Sequence, residues 1–211
     1  MAQLAEFLPY VLPYAAGCSA PLAEQQIRQI CIDFCMHVPV VQLTLDPLDL
    51  LAGQREYDID SPPGSETSDI LQAWFQGQPL PIVSGKSGAG PWFAPNATPG
   101  PPLALRQRAA NTFELDRAPA ESLSQALILQ IATRPSRNSN QIADILFNDY
   151  AYGIGQGVVA RLLMMPGHSF SNPGMAAYYH SEYLRVRAEA RIRVARDFNP
   201  VALRVAPRAF A

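Results

Sequence analysis

An α+β fold follows from three features of the chain: an apolar stripe of helical period near its start, a period of two through its middle, and helical stripes that return after residue 138. Together they predict an antiparallel helical bundle, an N-terminal helix plus two long C-terminal helices, with an inserted β-rich subdomain and an extended C-terminal arm. The expected division is a helical core at 1–38 and 138–197, a β-rich insertion at 39–137, and an arm at 198–211.

The first eighteen residues set Leu4, Phe7, Leu8, Val11 and Leu12 around Pro9 and Pro13, which fits a short helix or an irregular segment ending at Gly17. A helix follows. Ser19 can cap it, Pro21 falls in its first turn where a missing N–H does no harm, and Ile27, Ile30, Cys31 and Phe34 form one stripe. Pro39 bounds its end. Val41, Leu43 and Leu45 then alternate with Gln42 and Thr44 as a half-buried strand would, and a second strand holds Tyr57 and Ile59. Ser61-Pro62-Pro63-Gly64 is a loop. Segments 70–75 and 80–83 form a hairpin through Gln76-Gly77-Gln78, and 84–102, rich in Gly, Pro, Ser and Ala, is expected to be a mobile loop. Strands are predicted at 112–115 and 126–131. Asn138, Ser139 or Asn140 caps a helix running to about Met165, and Asn172-Pro173 opens another, with Ala176, Tyr179, Tyr183, Val186, Ala190 and Val194 along one face.

The 211 residues suffice for one domain with a substantial core, and 48% hydrophobic with 16% charged residues is not a disordered composition. The longest apolar run, near Val158, is broken by Arg161 and stopped by Pro166, far short of a membrane span. Glu6 interrupts an N-terminus with no basic region, which argues against a signal peptide. Three cysteines give no disulfide framework, so the expectation is a soluble chain made in a reducing cytoplasm. A net charge of -2 hides an asymmetry. Residues 1–75 carry ten acids against Arg28 and Arg55, whereas residues 161–211 carry eight arginines against Glu182, Glu189 and Asp197. Unlike parts can join copies head to tail or neutralise each other inside one monomer. The first alternative makes Arg187, Arg191, Asp58 and Asp60 intersubunit candidates.

Motifs that carry chemistry elsewhere fail here on context. Cys31 and Cys35 with His37 lack the remaining ligands of a zinc site, so they read as core cysteines and no metal is expected. Gly85-Lys86-Ser87-Gly88 lacks the earlier glycine and the helix of a phosphate loop. Gly153, Gly155 and Gly157 lie inside a helical pattern, where close packing by another segment explains them better than phosphate binding. His168 and His180 have no accompanying nucleophile signature, so neither catalytic residues nor a cofactor is expected. The C-terminal arginines could meet DNA phosphates, but Glu182 and Glu189 interrupt them, and a solvated or intersubunit face is the preferred reading. The closing segment alternates Val201, Leu203 and Val205 with Ala202 and Arg204, then adds Pro207, Arg208 and Phe210. Fully extended, residues 198–211 reach roughly 45 Å, which suits an arm that adds to a strand or fills a pocket on a neighbour; the alternative is a tail folded back on its own protomer.

Several stretches, in order, resemble head-to-tail adaptor (head completion) proteins of tailed phages. They are Leu8-Pro9-Tyr10-Val11-Leu12-Pro13-Tyr14 through Cys18 and Pro21-Leu22-Ala23; Leu51-Ala52-Gly53-Gln54-Arg55-Glu56-Tyr57-Asp58-Ile59; Ala160-Arg161-Leu162-Leu163-Met164-Met165-Pro166-Gly167; Ser171-Asn172-Pro173 with Ala177-Tyr178-Tyr179; and the arginine-rich close through Pro207-Arg208. The resemblance implies a non-enzymatic structural protein of the virion neck, made in the bacterial host and docked beneath the portal as a ring of matching twelve-fold symmetry around the DNA exit channel. It implies as partners the portal protein, neighbouring copies and the next neck or tail protein, with possible non-specific contact with packaged DNA and none with membrane. The C-terminal arm would grip the portal, and Val201, Leu203, Arg204, Val205, Pro207, Arg208 and Phe210 are the residues expected to do so. Another neck ring or tail-completion protein, or a DNA-binding accessory factor, are the competing roles.

Overall fold

A computed structural model describes residues 1–83 and 98–196. The chain opens with β1 (Ala2–Gln3) and two 3-10 helices, Leu4–Tyr10 and Leu12–Tyr14, then enters α1 (Ala20–His37). Gly17 takes the left-handed conformation that turns the chain between them. Strands follow as β2 (Val41–Thr44), β3 (Leu48–Leu50), β4 (Glu56–Asp58), β5 (Ser65–Phe75), β6 (Gln78–Pro79), β7 (Leu105–Ala109), β8 (Thr112–Leu115), β9 (Leu123–Pro135) and β10 (Gln141–Ile142). Two helices close the described chain, α2 (Asp144–Leu163) and α3 (Pro173–Ala195).

The α+β class stands, but the expected architecture does not. Strands make up much of the fold, and a large antiparallel sheet curls into a half-barrel, so this is not a helical bundle carrying a small insertion. The centre of that sheet is β9. It pairs with β2 and then β3 on one side and along its length with β5 on the other. Register shifts in β5, between Thr67 and Asp69 and between Ile70 and Gln72, add the local twist that bends the sheet. Helix α1 packs against β9 as well as against α2, which ties the helices to the sheet directly. Strands β1 and β10 form a further pair that fastens the N-terminus beside the start of α2.

A three-stranded sheet, β4-β8-β7, covers the remaining edge of β5. It does so with side chains: Asn111 Oδ1 accepts from Thr67 N at 3.1 Å and Gln107 Oε1 from Ile70 N at 3.2 Å. A bare strand edge is a template for unwanted pairing, and these two amides occupy it. Between β5 and β6 both Gln76 (φ 49°) and Gly77 (φ 79°) are left-handed, the pattern of a tight type I′ hairpin. The second hairpin strand is shorter than expected and sits at Gln78–Pro79, with Leu80 N bonding Ala73 O beyond it.

Apolar residues gather in two clusters. One joins the N-terminal segment and the three helices around Phe7, Ile27, Phe34, Leu146 and Val158. The other lies within the sheets around Leu50, Phe113, Leu115, Leu127 and Ile131. Helix α2 is buried on almost every side, and its glycines face three different neighbours. A Cβ on Gly153 would fall 2.9 Å from Val186 Cβ, one on Gly155 at 2.9 Å from Tyr10 Cβ and 3.1 Å from its carbonyl oxygen, and one on Gly157 at 2.8 Å from Tyr183 Cδ2. With Ile30 Cγ2 of α1 also 3.1 Å from a Cβ on Gly157, these glycines let α3, the first 3-10 helix and α1 approach closely. Helix α2 begins later than expected. Ser139 Oγ bonds Gln141 O instead of capping, 141–142 pair as a strand, and Ala143 precedes the first turn. Helix α3 starts where expected, with Asn172 Oδ1 accepting from Met175 N at 3.2 Å.

Candidate functional site

The C-terminal half of α1, the last turns of α2 and the first half of α3 leave a groove of about 760 Å³ between them. Its floor is made of small and apolar side chains, including Ile30, Gly157, Ala160, Ala176, Ala177 and Leu184. The absence of a side chain at Gly157 and the methyl groups of the alanines follow from the close helix approach described above. Polar groups stand along the rim: Asp33 and His37 one turn apart on α1, Arg161 on α2, and His180, Tyr183 and Arg187 on α3.

Asp33 holds this rim together. Its carboxylate accepts from Tyr183 Oη at 2.7 Å and from Arg187 Nη1 at 3.3 Å, while His37 Nδ1 lies 2.8 Å from its main-chain carbonyl oxygen. Arg187 also lies over the Tyr183 ring, 5.5 Å from its centroid. Burial, and after it the hydrogen bond to the negative Asp33, push the Tyr183 phenol far above its ordinary range, so it remains a neutral donor. Arg161 donates to Gln29 Oε1 at 3.1 Å and faces a second crevice, contiguous through Asp33, that is also lined by Arg28 and Arg137. Among the described residues no carboxylate pairs with Arg161 or Arg191. The site is thus an apolar floor with a cationic rim, suited to a segment that carries both apolar and acidic groups.

The four intersubunit candidates do not meet within the chain. Arg187 is half-buried and paired with Asp33, and Arg191 is exposed one turn further along α3. Asp58 and Asp60 are exposed, with Tyr57 and Ile59 turned inward, so Glu56 and Asp58 on the edge strand β4 and Asp60 just after it share one outward face. Neutralisation within the monomer accounts for part of the charge asymmetry, through Arg187–Asp33, while Arg193 pairs with Asp149 of α2 at 3.0 Å. Within α3, Arg185 bonds Glu189 at 2.6 Å and Glu182 at 2.9 Å.

The arm residues Val201, Leu203, Arg204, Val205, Pro207, Arg208 and Phe210 lie outside the described residues, as do Lys86 and most of the 84–102 loop. The described end of that loop is held: Gly100 N bonds Ala118 O at 2.9 Å and Pro102 is buried. Cys31 and Cys35 are buried core thiols, and burial pushes the Cys35 thiol up to about 12. No group of three His, Cys, Asp or Glu side chains among the described residues could hold a metal. His168 stacks on Phe170, with ring centroids 4.8 Å apart, and His180 lines the groove.

Sequence reasoning missed Asp33, His37, Arg161 and Tyr183 as one site. The available signal was the pair of one-turn spacings, Asp33–His37 and Tyr183–Arg187, on helices whose stripes already faced each other. No described helix is long and apolar enough to cross a membrane. No protein-family model matches the chain, and no curated protein matches it either.

Proposed function

We propose that the chain is a structural virion protein, a head-to-tail adaptor that forms a ring beneath the portal of a tailed phage, connects capsid to tail and surrounds the DNA channel. The order of the resembling segments along the sequence supports this reading. One structural observation carries it: α3 has two apolar faces, and the fold uses one of them. Ala176, Tyr183 and Ala190 are buried against α1 and α2, whereas Leu184 (38% exposed) and Ile192 (52%) sit with Ala177 and Ala188 on a different, outward face. Tyr178 and Met175 extend the exposed apolar area, at 57% and 43%. A helix of a self-sufficient monomer keeps one apolar stripe; a second one is what a subunit presents to other chains.

In this role the protein works by contact and not by catalysis, with no cofactor. Its partners are the portal protein, its own copies and the next neck or tail protein, and its place is the neck of the virion, reached after synthesis in the host cytoplasm. The C-terminal segment with Leu203, Arg204, Arg208 and Phe210 is the portal-gripping arm. The cationic rim also favours a second reading, a DNA-contacting accessory factor, whose binding would weaken steeply with salt. Deleting residues 200–211 tests the arm. The truncated protein should keep its circular dichroism and melting temperature yet fail to co-sediment with portal rings; undiminished co-sedimentation refutes the assignment.

A further inference from the structure

We infer that the arginine-rimmed groove is the seat for the acidic outer face of β4 on a second copy of this chain, so that copies join head to tail. This rests on the assembly role proposed above and names the contact that would build the ring. The two surfaces are opposite in sign and each lacks full compensation at home. In the groove and its adjoining crevice, Arg28, Arg137, Arg161 and Arg187 surround a single carboxylate, Asp33, which Tyr183 and Arg187 already share. On the other surface, Glu56 and Asp58 of the edge strand β4 and Asp60 just beyond it are exposed. Arg108 approaches Glu56 at 3.8 Å but is shared with Glu114, and among the described residues no cation pairs with Asp58 or Asp60.

The spacings also agree. Alternate residues of a strand stand about 7 Å apart, and residues one helical turn apart, such as Arg187 and Arg191, are separated by roughly 6 Å. Carboxylates two residues apart on and just after β4 can therefore meet guanidiniums one turn apart on α3, Arg187 at the groove rim and the exposed Arg191 one turn beyond it. Because the surfaces are unlike, the contact is heterologous; repeated, it closes into a ring or grows as a filament. Duplex DNA could also use the arginines. A second copy fits better, because an uncompensated acidic face whose spacing matches the arginines belongs to this same chain.

Charge exchange tests the contact. Sedimentation velocity is run at low salt up to millimolar protein on the wild-type chain, on D58R/D60R, on R161E/R191E, and on an equimolar mixture of the two variants. All four side chains are exposed, and circular dichroism checks each fold. The wild type should self-associate and dissociate as salt is added. Each variant alone should be monomeric, and the mixture should regain association because reversed faces attract each other. Should a reversal unfold the chain, D58N/D60N and R161Q/R191Q replace it, with at least a tenfold weaker self-association expected of each. A wild-type chain that stays monomeric throughout, or a mixture without rescue, overturns the contact. So does loss of duplex-DNA binding in R161E/R191E with self-association untouched. Rings on the portal without charge-swap rescue sink this contact alone, whereas rescue without portal binding sinks the adaptor role alone.

Discussion

The helical half and the sheet half of the molecule solve the packing problem in opposite ways. In the sheets, large side chains fill the interior: Phe113, Leu115, Leu127, Leu129 and Ile131 are fully buried, and Tyr57 stacks on Phe113 with centroids 5.5 Å apart. Among the helices, the decisive positions are those where a side chain is missing, Gly153, Gly155 and Gly157. The halves also differ at their margins. The sheet half covers the edge of β5 with Asn111 and Gln107, while the helical half leaves a groove and the second face of α3 open. The contact inferred above uses the surface that the helical half leaves open.

Substitutions of opposite kinds should therefore damage the two halves. Phe113→Ala, which empties the sheet core, should cost about 3–5 kcal/mol in chemical denaturation. Alkaline pH should strike the helical half next. The folded-state pKa values of Cys31, Cys35 and Tyr183 are all raised, chiefly by burial, so their contribution is intact below the ordinary thiol value of 9.0 and is lost as pH climbs toward about 12. The melting temperature should fall over that window, and Cys35→Ala should flatten part of the fall; an unchanged slope contradicts the burial argument.

Gly155→Ala tests the missing side chain. Alanine favours a helix by about 1 kcal/mol over glycine, but the added carbon would press on the Tyr10 main chain, and overpacking costs about 1–3 kcal/mol. Net destabilisation is expected; a more stable variant would show that the segments are not in tight contact. Asn172→Ala, which removes the cap of α3, should cost about 1 kcal/mol. The smallest effect is expected in the sheet half. Gln76→Asn, which suits the left-handed φ of the hairpin, should raise stability by up to about 0.5 kcal/mol in the same denaturation assay.

Long periodic segments were legible in the sequence, and short or doubly buried ones were not. The stripe of α1 and the Asn172-Pro173 start of α3 fall where the pattern put them, and 112–115 is β8. Strands β1, β3, β6 and β10, of two or three residues each, are too short to display a period. Strand β9 misled in another way. Leu127, Leu129 and Ile131 face one side while Ala126 and Ala132 are also buried, so its length and central position could not be read from alternation. That error turned the sheet into a subordinate insertion when it is a principal part of the fold. The groove was invisible for a related reason: Asp33, Arg161 and Tyr183 lie more than a hundred residues apart in places, and only the packing of three helices brings them to one rim. Asp58, Asp60 and Arg191 were accessible to charge counting, because exposed charge needs no partner to be noticed.

Electron microscopy of the protein mixed with phage portal rings addresses the proposed adaptor role most directly. The account predicts an additional ring of density on the tail-facing end of the portal, with the portal's own rotational symmetry. Portal rings that remain bare at saturating protein would contradict it.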